Sequence, residues 1–120
     1  MFFAIFASES RETAYNMSTG NSVKRLIGSM VRNAEPTADV FLFGSRARGE
    51  ARGDSDWDVL IILDAPKVSR QQFKALNYDL WVKGLEMGEE INPVIYTRSQ
   101  WNKAYGTLFF HNVMRERVRL

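Results

Sequence analysis

The stretch that decides the fold reads FLFGSRARG over residues 41–49 and, after a short polar loop, SDWDVL over residues 55–60. The apolar run over residues 40–43 predicts a buried strand that ends at Gly44. A second apolar run over residues 59–63 predicts another buried strand, entered from two aspartates. Residues 44–55 show no apolar periodicity, which predicts a glycine- and arginine-rich loop between the strands.

A helix is predicted before the first strand. Ser18 or Thr19 can cap its start, and Pro36 lies beyond its end. Its apolar positions repeat at helical spacing at residues 23, 26, 27, 30 and 31.

A second helix, a third strand and a final helical region are predicted after the second strand. Ser69 opens the second helix, and Gly84 or Gly88 ends it. The third strand covers residues 91–96, and Pro93 within it favours a position at the sheet edge. Ser99 is expected to cap the final region, which residues 106–107 interrupt. The predicted fold is a small α/β or α+β sheet, flanked by helices on one face.

Length and composition limit the classes of protein that need to be considered. The 120 residues predict one domain, with residues 1–17 as an N-terminal extension and residues 18–120 as a single domain. Without cysteine there can be no disulfide and no thiolate metal site. The single histidine, His111, excludes His-rich metal sites and is read as a residue on a helix surface.

Charge and hydropathy argue against nucleic-acid and membrane partners. The net charge is only +2, and both arginine-rich runs, residues 46–52 and the C-terminal run 115–119, also contain acids, so nucleic-acid binding is not expected. No apolar run approaches the roughly 18 residues that a membrane span needs. The apolar residues 1–7 lack a basic flank and are shorter than a signal-peptide core, so we expect a cytoplasmic protein.

The loop between the first two strands carries the features that predict chemistry. Gly44 lets the backbone approach a ligand, and Ser45 offers a hydroxyl donor. Consecutive N–H groups in such a turn can form an anion-binding nest, and Arg46 and Arg48 add positive charge. Arg48 can alternatively pair with a nearby acid, either Glu50 or Asp54.

Two acids follow this turn on the second strand. Asp56 and Asp58 are two residues apart, so both carboxylates point to one face of the strand, and Trp57 points to the core. Paired carboxylates suit a hard divalent cation such as Mg²⁺ or Mn²⁺, which bridges carboxylates and substrate phosphates. A phosphate-binding turn beside a metal site is the apparatus of phosphoryl or nucleotidyl transfer.

These motifs resemble the signature of the DNA polymerase β nucleotidyltransferase superfamily, in particular its minimal stand-alone bacterial members. The resemblance covers roughly residues 20–98 and is strongest over residues 40–63. It implies a mixed sheet with flanking helices, binding of the nucleotide triphosphate by Gly44 and Ser45, and two Mg²⁺ ions held by Asp56 and Asp58.

The sequence departs from the family pattern at the third carboxylate, which serves as metal ligand and base. Asn92 stands at the position where that acid is expected, and an amide cannot take a proton. Glu90 lies two residues earlier and can either replace the missing acid or be a solvated residue at the strand end.

The leading hypothesis is a Mg²⁺-dependent enzyme that moves a nucleoside monophosphate, AMP from ATP, to an acceptor hydroxyl. The resemblance also implies a helical HEPN-type partner, as in toxin–antitoxin pairs, whose tyrosine can be the acceptor; a homodimer is the alternative. Asn92 motivates a second hypothesis, a catalytically silent binding subunit or antitoxin. Four aromatic residues can stack a base, pack in the core or form a partner interface: Trp101, Tyr105, Phe109 and Phe110.

Overall fold

A computed structural model describes residues 20–120. Helix α1 runs through residues 20–34, and strand β1 (Asp39–Phe43) follows it. The one-turn helix α2 (Ser45–Arg48) precedes strand β2 (Trp57–Leu63). The next helical segment consists of α3 (Arg70–Phe73), a π-helical turn (Lys74–Tyr78) and α4 (Asp79–Glu86). The remaining elements are β3 (Ile91–Thr97), α5 (Arg98–Lys103), α6 (Leu108–Glu116) and β4 (Val118–Arg119).

The four strands form one mixed sheet in the order β3-β2-β1-β4. Strand β1 pairs antiparallel with β2 and β4, whereas β2 and β3 are parallel. The segment from α3 to α4 is the crossover that two parallel neighbours require. The mixed α/β class and the three predicted strands are confirmed, and β3 lies at the edge that Pro93 predicted.

Both faces of the sheet are covered, so the prediction of helices on one face was wrong. On one face, α1 and the segment from α3 to α4 pack against alternate residues of β1 and β2. On the other face, Trp101 of α5 and Val113 of α6 pack against Phe41, Leu60 and Ile62. Nearly every position of β1 and β2 is apolar, which is the pattern of strands that are buried on both sides.

The helix ends show which residues act as caps. Ser69 caps α3 as predicted, in a reciprocal capping box with Gln72. The predicted cap at Ser99 was wrong, because the Thr97 hydroxyl accepts the Gln100 N–H and starts α5 two residues earlier. Gly88, with φ +74°, follows the end of α4, whereas Gly84 lies within that helix.

Two elements were not predicted from the sequence. Helix α2 lies inside the segment expected to be a loop, and β4 adds a short strand beside β1. Residues 1–17 and the caps proposed at Ser18 and Thr19 lie outside the described residues. Within residues 20–120, no helix combines the length and apolar character that crossing a bilayer demands.

Candidate active site

The predicted site residues meet at one end of the sheet. In the strand register, Phe43 at the end of β1 lies opposite Asp58 near the start of β2. Asp58 in turn lies opposite Asn92 near the start of β3. The Gly44–Ser45 turn leaves β1 at this end, so three neighbouring strands bring the turn, the aspartates and Asn92 together.

Gly44 occupies a position that only glycine fits. Its φ of +75° and ψ of −158° lie in a region that side chains rarely adopt. A Cβ atom added at Gly44 would overlap the Oδ2 atom of Asp58. The turn therefore passes directly over the Asp58 carboxylate before the chain enters α2.

A carboxylate from the C-terminal helix completes this part of the site. Glu116 Oε1 accepts the Gly44 N–H at 2.9 Å, and its Oε2 accepts Nη1 of Arg48 at 3.0 Å. Nε of Arg48 also donates to Glu50 at 3.0 Å, the first of the two acids considered for it. Gly44, Arg48, Asp58 and Glu116 are called the inner half of the site below.

The pKa values of the two acids of the inner half are shifted in opposite directions. Burial is the largest influence on Asp58, and together with the neighbouring Asp56 and Glu116 charges it raises the pKa of Asp58, against the opposing effect of Arg48. Burial alone would raise the pKa of Glu116 too. The hydrogen bonds from the Gly44 N–H and Arg48 outweigh burial and hold the pKa of Glu116 below its ordinary value. The inner half thus contains one carboxylate, Glu116, that hydrogen bonds stabilise as an anion and one, Asp58, whose ionised form burial disfavours.

The other half of the site is open to solvent. Asp56 is exposed, and Nδ2 of Asn92 donates to its Oδ2 at 3.0 Å. Glu90 is exposed just before β3, and its backbone carbonyl accepts the Trp57 N–H at 2.8 Å. Asp56, Glu90 and Asn92 are called the outer half below. Over residues 20–120, no group of three or more acidic or histidine side chains is arranged to hold a metal, so Glu90 does not complete a three-acid cluster.

The two arginines of the signature lie in different surroundings. The Cζ atom of Arg46 lies 4.4 Å from the centroid of the Trp57 ring, and its guanidinium donates to the Ser55 carbonyl at 2.9 and 3.3 Å. It also lies 3.7 Å from Glu89, which accepts the Trp57 indole N–H at 2.9 Å. These contacts indicate that Arg46 stabilises the loop before β2. Arg48, in contrast, belongs to the inner half.

The aromatic residues near the C-terminus form part of the core or of the surface. Trp101 is 6% exposed and packs against Phe109 and Phe110, which confirms core packing for this residue. Tyr105 is 74% exposed and lies beside His111, an exposed residue of α6 as expected. Trp57 is 2% exposed, so its predicted core position is confirmed.

The donor atoms of the site are of the kind that hard divalent cations take as ligands. Asp56 and Asp58 supply carboxylate oxygens, which are the ligands that Mg²⁺ and Mn²⁺ prefer. Burial and the neighbouring Asp56 carboxylate raise the pKa of Asp58, and a bound cation would favour the ionised form of both aspartates. Asn92 adds an amide, whose carbonyl oxygen can serve as a neutral ligand when the group turns its oxygen toward a cation. The set is therefore compatible with a metal between the two aspartates.

Comparison with known proteins gives one family and one informative structural neighbour. The sequence pattern of the nucleotidyltransferase domain matches residues 23–104. The fold is similar to that in the crystal structure of a toxin–antitoxin with AMP-PNP, with a TM-score of 0.56 and 18% identity over 79% of this chain and 69% of the other. A putative nucleotidyltransferase from Sulfolobus solfataricus aligns with a TM-score of 0.48 and 17% identity, over 86% and 83% of the two chains. No curated protein matches the sequence.

Sequence reasoning missed Glu116, because it lies beyond the matched segment and among arginines in the C-terminal run. The packing of α6 on the sheet and the pairing of β4 with β1 bring it beside Gly44. The signature residues on which the predicted resemblance rests are Gly44, Ser45, Asp56 and Asp58. The matched segment covers more than half of the chain and contains every one of those signature residues, so this protein belongs to the nucleotidyltransferase domain family.

Proposed function

We propose that the protein transfers a nucleoside monophosphate, AMP from ATP, to an acceptor hydroxyl in a Mg²⁺-dependent reaction. The observation that carries this proposal is the meeting of the Gly44–Ser45 turn with Asp56 and Asp58 at one end of the sheet. The family supports nucleotidyl transfer in general. The choice of ATP draws support from the similar toxin–antitoxin structure, which contains AMP-PNP.

The proposed roles divide between phosphate and metal. The Ser45 hydroxyl makes no hydrogen bond to any residue between 20 and 120, and the first turn of α2 leaves N–H groups without intrahelical partners. Both can bind the triphosphate, with Arg48 adding positive charge. Asp56 and Asp58 would hold Mg²⁺, which when bound supplies positive charge that offsets the phosphate oxygens.

Glu90 is the proposed base. It would take the proton of the acceptor hydroxyl while the hydroxyl oxygen attacks the α-phosphorus, the bond to the β-phosphate oxygen breaks and pyrophosphate leaves. Glu90→Gln is expected to lower the transfer rate by about a hundredfold, the lower end of general-base effects, with ATP affinity unchanged. Equal rates of transfer in Glu90→Gln and the unaltered protein would exclude this role.

The proposed acceptor is a hydroxyl on a partner protein. The similar structure is a toxin–antitoxin, which supports a paired protein, and we propose a helical HEPN-type partner whose tyrosine receives the nucleotide. A homodimer is the alternative assembly. The cytoplasm remains the proposed compartment.

The test is a calorimetric titration of ATP with and without Mg²⁺, on the unaltered protein and the Asp56→Asn/Asp58→Asn variant. We expect Mg²⁺-dependent binding that the double variant loses while its circular dichroism stays native. Equal binding in both proteins would reject this site.

A specific observation favours a second candidate, a silent binding subunit. Asn92 stands where the resemblance places the third acid, and its amide donates a hydrogen bond to Asp56 and cannot take a proton. This candidate predicts ATP binding without transfer to any hydroxyl of a co-purified partner. Transfer that depends on Asp56 and Asp58 would reject it.

A further inference from the structure

The C-terminal segment reaches the site from outside the part of the chain that the family pattern covers. That pattern ends at residue 104, whereas α6 and β4 follow it. Strand β4 pairs Val118 with Leu42 and Arg119 with Phe41. Just beyond the end of β1, the Glu116 side chain accepts the Gly44 N–H.

Both oxygens of Glu116 are used in this contact. One accepts the Gly44 N–H and the other accepts Arg48, while the side chain is only 13% exposed. Removing the carboxylate leaves the Gly44 N–H without its acceptor and frees the guanidinium to turn toward Glu50 alone. Because Gly44 lies over the Asp58 carboxylate, a shift of the turn also changes the distance between the phosphate-binding atoms and the aspartates.

Asp39 is a useful comparison, because its carboxylate makes similar contacts at a place away from the site. Asp39, at the other end of β1, accepts Arg119 at 2.8 Å and Arg98 at 2.9 Å. It also ties β1 to the C-terminal segment, yet none of its partners belongs to the site. Glu116 differs because its two partners are Gly44 and Arg48, both in the signature loop.

We propose that Glu116 is a positioning residue of the nucleotide site, which fixes the Gly44–Ser45 turn and the Arg48 guanidinium for the triphosphate. This inference rests on the proposed function. It assigns to α6 an indirect influence on nucleotide affinity, exerted through Gly44 and Arg48.

The experiment titrates Mg²⁺-ATP into four proteins: the unaltered chain, Glu116→Ala, Glu116→Gln and the control Asp39→Ala. Glu116→Ala is expected to weaken ATP binding by about tenfold, equivalent to about 1.4 kcal/mol at 25 °C. Glu116→Gln keeps an acceptor for the Gly44 N–H and is expected to bind within about threefold of the unaltered chain, since a neutral hydrogen bond replaces a charged one. Asp39→Ala is expected to bind ATP as the unaltered chain does.

Amide hydrogen exchange at Gly44, measured by NMR, supplies a readout that does not depend on nucleotide. We expect faster exchange of the Gly44 N–H in Glu116→Ala, slow exchange in Glu116→Gln and no change in Asp39→Ala. Thermal unfolding confirms that each variant is folded at the titration temperature.

The outcomes separate the two proposals. If the unaltered chain fails to bind Mg²⁺-ATP, the proposed function is wrong. If it binds and Glu116→Ala binds equally well or more tightly, only the role of Glu116 is overturned; tighter binding means that the carboxylate competes with phosphate. Equal losses of affinity in Glu116→Ala and Asp39→Ala mean that both act through general stability, which also overturns the positioning role.

Discussion

The inner and outer halves of the site each contain one aspartate of the same strand, in different surroundings. Asp58 is half-buried beneath Gly44, and its neighbours raise its pKa. Asp56 is exposed and accepts one hydrogen bond, from the Asn92 amide. Their spacing predicts the shared face, but the groups that pack around each carboxylate decide what it can do.

This difference indicates that the inner half is preorganised before a ligand binds, whereas the side chains of the outer half can rearrange. In the inner half Gly44, Arg48 and Glu116 fix one another through two hydrogen bonds. In the outer half the amide of Asn92 can rotate, and Glu90 stands apart in solvent. Substitutions in the inner half should therefore change stability and binding together, whereas those in the outer half should mainly change the response to metal or the transfer rate.

The largest effect is expected from breaking the inner half with Gly44→Ala. The added Cβ would overlap Asp58 and force a backbone conformation that costs about 1–3 kcal/mol, so both folding stability and ATP binding should fall. Gly49→Ala is the matched control, because Gly49 has the same φ of +75° but nothing within 4 Å of its added Cβ. Urea unfolding and ATP titration measure both effects, and the same losses in the two variants would show that overlap with Asp58 is unimportant.

Asn92→Asp sharpens the comparison by adding an acid to the outer half. Without metal, it replaces the hydrogen bond to Asp56 by repulsion between carboxylates, and we expect a loss of about 1 kcal/mol. Mg²⁺ should reverse that loss, so the metal-induced rise in melting temperature should exceed that of the unaltered protein.

Transfer activity adds a second readout for Asn92→Asp. A gain indicates that the native outer half is incomplete, whereas unchanged transfer leaves Glu90 or a partner group as the base. An unchanged response of the melting temperature to Mg²⁺ would contradict a metal site beside residue 92.

The smallest effect is expected from the pH dependence of Asp58. Because its pKa is raised in the folded protein, the protonated group contributes stability below its unfolded pKa, and that contribution is lost as the pH rises through the folded pKa. In EDTA at neutral pH, Asp58→Asn should therefore raise the melting temperature by about a few degrees. The gain should disappear in acid, where Asp58 is protonated in the unaltered protein as well. A lower melting temperature for Asp58→Asn at neutral pH would show that its charge is stabilising.

The sequence predicted most of the sheet and the centre of the site for local reasons. Continuous apolar runs predicted β1 and β2. The spacing of Gly44, Asp56 and Asp58 along the chain predicted that these residues lie close together. Helices α5 and α6 cover the second face of the sheet. No local sequence pattern predicts against which face these two helices pack. Glu116 contacts Gly44, a residue 72 positions away, so no local sequence pattern could place it in the site. Arg46 contacts Ser55 within the same loop, but the path of that loop could not be predicted from its sequence.

Pro93 also influences how molecules meet one another in solution. It occupies the edge strand β3, where a residue without an N–H breaks the row of donors that an incoming strand would need. The opposite edge, β4, offers only two residues for pairing. Neither margin of the sheet is a good template for strand-to-strand growth, so the protein should resist fibre formation at high concentration, and its contacts with other proteins should use side-chain surfaces instead.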